Sequence, residues 1–572
     1  MKESIHSAPF AANQDAARAP GRLVLAVCPL CDGRRLAYAF SMAEYRLVRC
    51  PDCRLLMVNP QPTAAELEQI YHPHYFLGAE TSEGREELQR LKGATARRYL
   101  AELERYRGPA RGRLLEVGCG AGEFLAEARA AGYDVCGVEA SPSAAEEARR
   151  RVPGAEVVVG DLSAAAPTLP PFDVCVMWDV IEHVRQPIDL LRTVHGLLRP
   201  DGVLALATPS LDAWSARLLR RRWMEYKPEH LFYFDGATLQ SVLFRAGFAG
   251  VVLEAGWKVL SLGYVARHFE RFPVPVLTPI LRLARTALPF LRDWPFPVVA
   301  SGVLAFARKA EARPRHRLSV IVPAYNEAAT FRELMGRVLA KQIAGLEIEV
   351  VLVESGSTDG TGEMAVALAG HPRVRLVRQP RPRGKGHAVR AGLREATGDF
   401  VLIQDADLEY DIEDYDAVLE PLLRYREAFV LGSRHGGQAL KMRSFTRQPA
   451  LSLLLNTGHW LFAALVNLLF GLRLKDPFTM YKVFRRDCIY GLEFTCERFD
   501  FDIELLVQLV KKGYRPVEIP VNYRSRSFRE GKKVSVLRDP ISWLAALARL
   551  RLRRIDPLRA VERSRAAQGA GG

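Results

Sequence analysis

The chain has 572 residues, too many for one hydrophobic core, because domains commonly contain about 100 to 200 residues. Hydrophobic residues make up 49% of the chain and charged residues 25%, which excludes a polypeptide that is disordered throughout. The net charge of +15 predicts attraction to anionic partners such as phosphorylated ligands, nucleic acid or an anionic membrane.

The first 21 residues have no continuous apolar segment behind a basic start. We therefore expect a flexible leader over 1–21 and not a secretory signal, and a chain that stays in the cytoplasm. Two CxxC pairs follow within 22–62, with 18 residues between the pairs. This spacing predicts a zinc ribbon in which four thiolates hold one structural Zn²⁺, and unligated buried cysteines are the alternative. The predicted ligands are Cys28, Cys31, Cys50 and Cys53.

Residues 113–208 alternate short apolar runs with helical segments, which predicts a doubly wound α/β domain that we place over 85–308. A glycine-rich turn, EVGCGAG at 116–122, lies between an apolar strand and a helical run, where a ligand can approach the backbone closely. Glu139 ends the next strand, at the position where an acidic side chain can hold both hydroxyls of a ribose. Asp161 and Asp179 end the third and fourth strands.

EVGCGAG, Glu139, Asp161 and the VIEHV segment at 180–184 resemble class I methyltransferases that use S-adenosylmethionine (SAM). The resemblance covers about residues 90 to 250 and implies a Rossmann-like fold; a nicotinamide-binding domain is the alternative. The SAM-binding residues that it implies are Glu116, Gly118, Gly120, Gly122, Glu139, Asp161 and Asp179.

His230, in PEHLFYF, is the predicted base for the methyl acceptor, with a loop anchor as the alternative. His183 is predicted to be a hydrogen-bonded structural residue. A zinc ribbon before such a domain is similar to the arrangement in sugar C-methyltransferases, which indicates a sugar or other small-molecule acceptor.

Residues 309–316 are charged, include a proline and lack apolar periodicity, so they are predicted to be a linker. A second α/β series occupies 317–536. Asp405, Asp407 and Glu409 alternate after an apolar strand, so we expect them to converge on one Mg²⁺ or Mn²⁺ ion that bridges a diphosphate. A solvated acidic turn is the alternative.

Five ordered segments, LSVIVPAYNE, VESGSTDGT, RGKGHAVRAG, DADLE and LGSR, resemble family 2 glycosyltransferases of the dolichol-phosphate mannosyltransferase-like branch. The resemblance implies a GT-A fold and inverting transfer from a UDP- or GDP-linked sugar. It differs at Glu354-Ser355, where relatives commonly have two aspartates. The implied nucleotide-sugar contacts are Pro323, Tyr325, Asn326, Glu327, Glu354, Lys385 and Asp405.

The same resemblance implies a polyprenyl-phosphate or glycan acceptor. An ionised phosphate needs no strong base, and Asp476 is a candidate base if the acceptor is a hydroxyl. The residues expected to hold the acceptor phosphate are Arg434, Arg447, Arg526, Lys532 and Lys533.

Residues 451–472 have the length of a membrane-spanning helix, but Asn456, His459 and Asn467 interrupt the apolar surface. An interfacial or acceptor-facing helix is favoured, with a core helix and a span as alternatives. Residues 537–572 are predicted to be a basic amphipathic tail, and the protein is expected at the inner face of an anionic membrane.

These observations predict a bifunctional enzyme of glycan or glycolipid assembly. A glycosyltransferase whose first half is a non-catalytic SAM- or zinc-binding docking module is the alternative. Nucleic acid is not an expected partner, because no stretch combines aromatic and basic residues in the manner of a stacking surface.

Overall fold

The computed structural model describes residues 21–70, 82–109, 112–271, 274, 276–311, 313, 315–434, 449–525 and 538–569. The chain forms two compact units, Met1–Glu311 with Val561–Gly572, and Ala312–Ala560. The predicted leader falls outside the described residues except for Gly21. The expectation of two α/β sheets is confirmed, whereas the domain limits stay predictions.

The first unit begins with short strands and then alternates helices with the strands of a larger sheet. Its strands are β1 (Ala37–Met42), β2 (Tyr45–Arg49), β3 (Leu56–Val58), β4 (Gly112–Val117), β5 (Tyr133–Glu139), β6 (Glu156–Val159), β7 (Phe172–Trp178), β8 (Leu198–Pro209), β9 (Phe232–Tyr233), β10 (Phe248–Leu260) and β11 (Phe296–Lys309). Its helices are α1 (Ala64–Ile70), α2 (Ser82–Arg107), α3 (Glu123–Ala130), α4 (Pro142–Arg151), α5 (Leu162–Ala165), α6 (Pro187–Leu197), α7 (Trp214–Leu219), α8 (Gly236–Arg245), α9 (Leu262–Arg271) and α10 (Leu277–Ala287).

The large sheet of this unit has the strand order β10-β11-β8-β7-β4-β5-β6. Strands β4 to β8 run parallel to one another, and β11, which pairs antiparallel with both β8 and β10, extends the sheet at one edge. The order of the strands reverses at β4, because β5 and β6 lie on one side of this strand and β7 lies on the other. In open α/β sheets a ligand binds at such a reversal, outside the carboxyl ends of the strands.

The second unit contains a separate sheet of seven strands. Its strands are β12 (His316–Ala324), β13 (Leu346–Glu354), β14 (Val374–Arg378), β15 (Phe400–Ile403), β16 (Phe429–Ser433), β17 (Lys482–Arg485) and β18 (Val517–Pro520). Its helices are α11 (Ala328–Ala340), α12 (Thr361–Ala367), α13 (Lys385–Glu395), α14 (Tyr415–Leu423), α15 (Pro449–Phe470), α16 (Phe501–Lys511) and α17 (Arg538–Leu552), and α18 (Pro557–Gly569) ends the described chain.

The strand order of the second sheet is β14-β13-β12-β15-β17-β16-β18. Strand β12 pairs in parallel with both β13 and β15, and β17 runs antiparallel between β15 and β16. The central strands are buried on both faces, which explains their continuous apolar sequences, such as Val320–Val322. The carboxyl ends of β12, β13 and β15 therefore lie along one edge.

Helix α15 covers most of the segment for which a membrane span was weighed. Ala463 and Val466 on this helix are buried, whereas Leu461 and Leu468 are 68% and 81% exposed. Within the described residues, no helix is both long enough and apolar enough to cross a membrane. In the predicted tail, Leu547 and Leu550 of α17 are buried, so part of its apolar surface packs within the protein.

Candidate functional sites

The four predicted zinc ligands lie together. Cys28 and Cys53 have their Sγ atoms 3.4 Å apart, and Cys31 and Cys50 have theirs 3.6 Å apart. All four sulfur atoms are within 4.8 Å of one another, and each cysteine is buried and free of disulfide bonds. A tetrahedral Zn²⁺ with Zn–S bonds of about 2.3 Å would place its sulfurs about 3.8 Å apart. The cluster therefore fits one zinc ion.

The cysteine-bearing segment contributes to a four-stranded sheet whose order is β1-β2-β3-β9. Strand β9 comes from the middle of the first unit and begins two residues after His230. It pairs antiparallel with β3, and the Val58 N–H donates to the Leu231 carbonyl at 3.0 Å. The predicted ribbon thus holds the loop that carries His230.

The glycine-rich turn follows β4 at the reversal point of the large sheet. Gly118 has a φ of +71°, and a Cβ atom at this position would lie 2.8 Å from Val180 Cγ2. Only glycine fits both restrictions without displacing a neighbour. The Glu139 carboxylate accepts hydrogen bonds from the N–H groups of Gly120 and Ser141, at 2.8 and 2.9 Å. The turn and Glu139 are therefore adjacent, as the sequence predicted.

The remaining acids of the predicted SAM site differ in environment. Glu116 is buried, and burial with the charges of Glu123 and Glu139 raises its pKa well above the ordinary value. Asp161 caps α5 by accepting from the Ser163 N–H at 2.7 Å. Asp179 lies beyond β7, where its carboxylate is 2.7 Å from Lys258 Nζ. Glu116 Oε2 has no hydrogen-bond partner among the described residues, so it is available to a ligand.

A polar cluster beside the turn contains His230. The ligand atoms of Glu182, His183 and His230 lie within 4.8 Å of one another, and the two imidazole rings meet edge to face at 4.8 Å. His183 Nδ1 contacts the Glu229 carbonyl at 3.0 Å. Thr208 Oγ1 donates to Glu182 at 2.9 Å. His183 thus makes the structural hydrogen bond that was predicted, and it also touches the predicted base.

Burial sets the protonation of this cluster. It raises the pKa of Glu182 to about 8, helped by the charge of Asp179, so Glu182 is a neutral acid at pH 7. It lowers the pKa of His183, and lowers that of His230 well below the ordinary value. His230 is therefore uncharged at neutral pH, and its lone pair can accept a hydrogen bond, although the lowered pKa makes it a weaker base than an ordinary histidine.

Sequence reasoning missed several polar residues around this cluster. The buried side-chain atoms of the described residues that have no hydrogen-bond partner include four near this cluster: Tyr99 Oη, Trp178 Nε1, Glu182 Oε1 and His230 Nδ1. Buried polar atoms are normally paired, so these four are suited to a ligand with several hydroxyl groups. Lys258 interrupts the largely apolar sequence of β10, and this irregularity could have indicated a functional residue. No local sequence pattern distinguishes Tyr99.

In the second unit, residues after β12 and β13 form one interlocked pair of turns. Asn326 has a φ of +49°, and its side-chain oxygen accepts from the Thr358 N–H at 2.8 Å. The buried Glu354 accepts from the Ser357 N–H at 2.6 Å. Pro323, Tyr325 and Glu327 lie in or beside the first turn, so the structure brings the predicted nucleotide-contacting residues of both strands to one edge.

The acidic segment after β15 carries the three carboxylates that were predicted to bind a metal ion. Asp405 pairs with Lys385 at the start of α13, and Glu409 accepts from Tyr523 Oη at 2.9 Å. Among the described residues, the groups that bring three metal-binding side chains within 4.8 Å do not include Asp405, Asp407 and Glu409. The convergence of these three carboxylates on a metal ion stays a prediction, and in this structure Lys385 and Tyr523 contact the outer two. Asp407 is buried.

Asp476 was considered as a base, but it forms a buried ion pair with Arg434. Its carboxylate accepts from Arg434 Nε and Nη2 at 2.8 and 2.7 Å and from the Arg434 N–H at 3.0 Å. Burial alone would raise the pKa of Asp476, but the Arg434 charge lowers it below the ordinary value. Such a carboxylate is a poor proton acceptor, so the geometry favours a role in orienting Arg434.

Asp502, which sequence reasoning did not identify, is a buried carboxylate near this edge. Its Oδ1 accepts no hydrogen bond within the described residues, although Lys482 Nζ lies 3.9 Å away. Burial raises its pKa to about 6 against the charges of Lys482 and Lys385. The four other residues predicted to hold an acceptor phosphate lie outside the described residues: Arg447, Arg526, Lys532 and Lys533.

Both units place their polar side chains at the carboxyl ends of parallel strands, the arrangement of nucleotide-binding α/β enzymes. One segment of each unit also matches the model of a known family. Residues 88–253 match the model of a methyltransferase domain, and residues 319–488 match glycosyl transferase family 2. The chain therefore carries both domains that its motifs predicted.

Curated relatives agree with the second assignment. Dolichol-phosphate mannosyltransferase of Pyrococcus furiosus is 29% identical over 217 residues, which cover 38% of this chain and 59% of that protein. Dolichyl-phosphate beta-glucosyltransferase of Drosophila melanogaster is 34% identical over 218 residues, which cover 34% and 63%. The chain thus spans about three fifths of the length of these two relatives. A SAM-dependent methyltransferase structure from Archaeoglobus fulgidus is 20% identical and covers 39% of this chain and 94% of its own, with a TM-score of 0.28.

Proposed function

We propose that the second unit transfers a sugar from a UDP- or GDP-linked donor to a polyprenyl phosphate or a glycan, with inversion at the anomeric carbon. The observation that carries this proposal is the edge formed by β12, β13 and β15, where Glu354, Lys385 and Asp407 lie beside the turns of a family 2 domain. The named activities of the two relatives, transfer to dolichol phosphate, support the choice of acceptor.

The carboxylates at this edge are suited to a divalent metal. Mg²⁺ commonly uses one or two carboxylates together with substrate phosphates. Asp407 and Asp405 would supply the two carboxylates, and the metal would neutralise charge on the leaving nucleotide diphosphate. Lys385 is positioned to contact a phosphate, because its pKa is raised by Asp405 and Asp502 despite burial, which keeps its charge.

The acceptor determines whether this unit needs a base. A phosphate monoester is largely ionised at neutral pH, so it attacks without proton removal. In that case Arg434, held rigidly by Asp476, would contact the phosphate. Arg447, Arg526, Lys532 and Lys533 stay predictions for the same role. For a hydroxyl acceptor, Asp502 is better placed than Asp476 to accept a proton, because its Oδ1 is unpaired and its pKa is about 6.

We propose that the first unit transfers a methyl group from SAM to a sugar. Glu139 would hold the ribose, the turn from Gly118 to Gly122 would contact the cofactor, and Glu116, Asp161 and Asp179 would complete the site. The four unpaired buried polar atoms around His230 support a hydroxyl-rich acceptor. His230 would take the acceptor proton, and neutral Glu182 would donate a hydrogen bond to the substrate.

One experiment tests both assignments on the full-length chain. Purified protein is supplied with SAM labelled in the methyl group, labelled UDP- or GDP-sugars with Mn²⁺, polyprenyl phosphate and a panel of sugar acceptors. The variants are His230→Gln and Asp407→Asn. Each variant is expected to lose one transfer by at least 100-fold and to keep the other. Methylation of quinones or proteins alone would overturn the sugar-acceptor assignment, and SAM binding without any methyl transfer would indicate a docking module.

A further inference from the structure

A surface of the first unit exposes an unusual number of large apolar side chains. On α10 and the residue before it, Val276, Ile280 and Leu283 are 72%, 56% and 68% exposed. They are four and three residues apart, so they form a stripe along one face of the helix. Phe290 and Trp294, just after the helix, are 72% and 65% exposed.

The opposite side of α10 is anchored to the protein. Thr278 is buried, and its hydroxyl contacts the Phe269 carbonyl of α9 at 3.1 Å. Arg285 pairs with Glu270 of α9 at 3.0 Å. These contacts fix the rotation of α10, so the exposed stripe is the orientation that the fold itself imposes.

Arginines accompany the stripe. Between Leu262 and Phe296 the sequence has five arginines and two acidic residues, a net charge of +3. The side chains of Arg282 and Arg292 are 63% and 57% exposed. In a twofold symmetric dimer the same patch would face itself, and these like charges would repel. An anionic surface is the complementary partner.

A second helix, α7, also combines exposed apolar side chains with neighbouring arginines. Helix α7 exposes Trp214 and Leu218, at 58% and 70%, and three arginines at 220–222 follow it. Trp214 Nε1 donates to the Val299 carbonyl of β11 at 3.0 Å. Since β11 begins two residues after Trp294, both apolar segments flank the start of one strand.

We infer that α10, with Phe290, Trp294 and the end of α7, is a docking surface for an anionic lipid bilayer. Apolar and aromatic side chains beside arginines are the composition of helices that lie in the plane of a membrane interface. The apolar stripe enters the acyl boundary, and the arginines contact lipid phosphates. This binding site belongs to the methyltransferase unit and does not depend on the proposed glycosyl transfer.

The test is co-sedimentation of the full-length chain with vesicles that contain no polyprenyl phosphate. Vesicles of phosphatidylcholine alone are compared with vesicles that also contain phosphatidylglycerol. Two double variants, Ile280→Ser with Leu283→Ser and Phe290→Ser with Trp294→Ser, are expected to lower the partition coefficient at least tenfold. The matched control is Val24→Ser with Tyr38→Ser, which removes side chains that are 60% and 55% exposed elsewhere in the unit.

Binding to anionic vesicles that the two double variants lose and the control keeps supports the docking surface. Equal binding to neutral vesicles, or binding that both double variants retain, overturns it. So does a dimer, seen by light scattering, that the same variants dissociate, because the occupant is then a second copy. Quenching of wild-type fluorescence by brominated lipids, reduced in Trp294→Phe, gives a readout that misfolding of a double variant does not produce.

Discussion

Replacing Asp476 by asparagine separates two roles for this residue. The side chain of Asp476 is fully buried and that of Arg434 is 7% exposed, so the substitution leaves a buried cation with one neutral acceptor. Loss of one partner of a buried pair costs about 3 to 5 kcal/mol, which we expect near the lower limit because asparagine keeps one hydrogen bond. The second unit should therefore lose about 3 kcal/mol of stability.

Hydrogen exchange followed by mass spectrometry is the suitable assay, because two units rarely unfold in one transition. Peptides that cover β16 and β17 are expected to exchange about 100-fold faster in Asp476→Asn. The control is Glu420→Gln, since Glu420 is 49% exposed beside Arg426 and such surface pairs contribute below about 1 kcal/mol. Arg434→Met combined with Asp476→Leu should restore slow exchange, because an apolar pair replaces the buried ions.

The ion-pair role of Asp476 is contradicted if Asp476→Asn exchanges like the Glu420→Gln control and yet loses glycosyl transfer with a changed pH profile. That result would return Asp476 to the role of base. Faster exchange together with weaker binding of the acceptor, and an unchanged pH profile, is the result that the ion pair predicts.

Three further predictions concern the first unit. Glu182 has a folded pKa of about 8, above its ordinary value of 4.5, so stability should fall by about 1.4 kcal/mol per pH unit between these values. Glu182→Gln should flatten the decline in melting temperature from pH 5.5 to 8, and an unchanged slope would contradict the assignment. Gly118→Ala should weaken SAM binding at least tenfold in calorimetry, because the new methyl group meets Val180 and the φ is positive; wild-type affinity would count against the predicted turn. Cys50→Ser should lower the zinc content and abolish methyl transfer while sugar transfer continues, and loss of both transfers would show that the ribbon supports more than the His230 loop.

The sequence predicted the features whose signals are local. The cysteine spacing correctly predicted that four sulfur atoms lie together. The glycine turn and Glu139 are adjacent as expected, because the geometry of a strand and the turn after it follows from neighbouring residues. The grouping of Glu182 with His230 depends on β9 pairing with β3, a contact between distant parts of the chain that no local pattern encodes.

Three features of the second unit were not evident in the sequence, each for a physical reason. The contacts of Asp405 with Lys385 and of Glu409 with Tyr523 join residues that are distant in the chain. Asp476 was taken for a base because its partner Arg434 lies 42 residues away. Asp502 was overlooked, because its interest comes from burial beside Lys482, which the sequence does not display.

The central claim is that one chain has two working transferase sites. Isothermal titration of the full-length protein with SAM, and separately with UDP- and GDP-sugars in the presence of Mn²⁺, tests it most directly. We expect binding in both titrations, with Gly118→Ala weakening only the first and Asp407→Asn only the second. Absence of SAM binding by the wild-type chain would contradict it and leave a glycosyltransferase with an inactive partner domain.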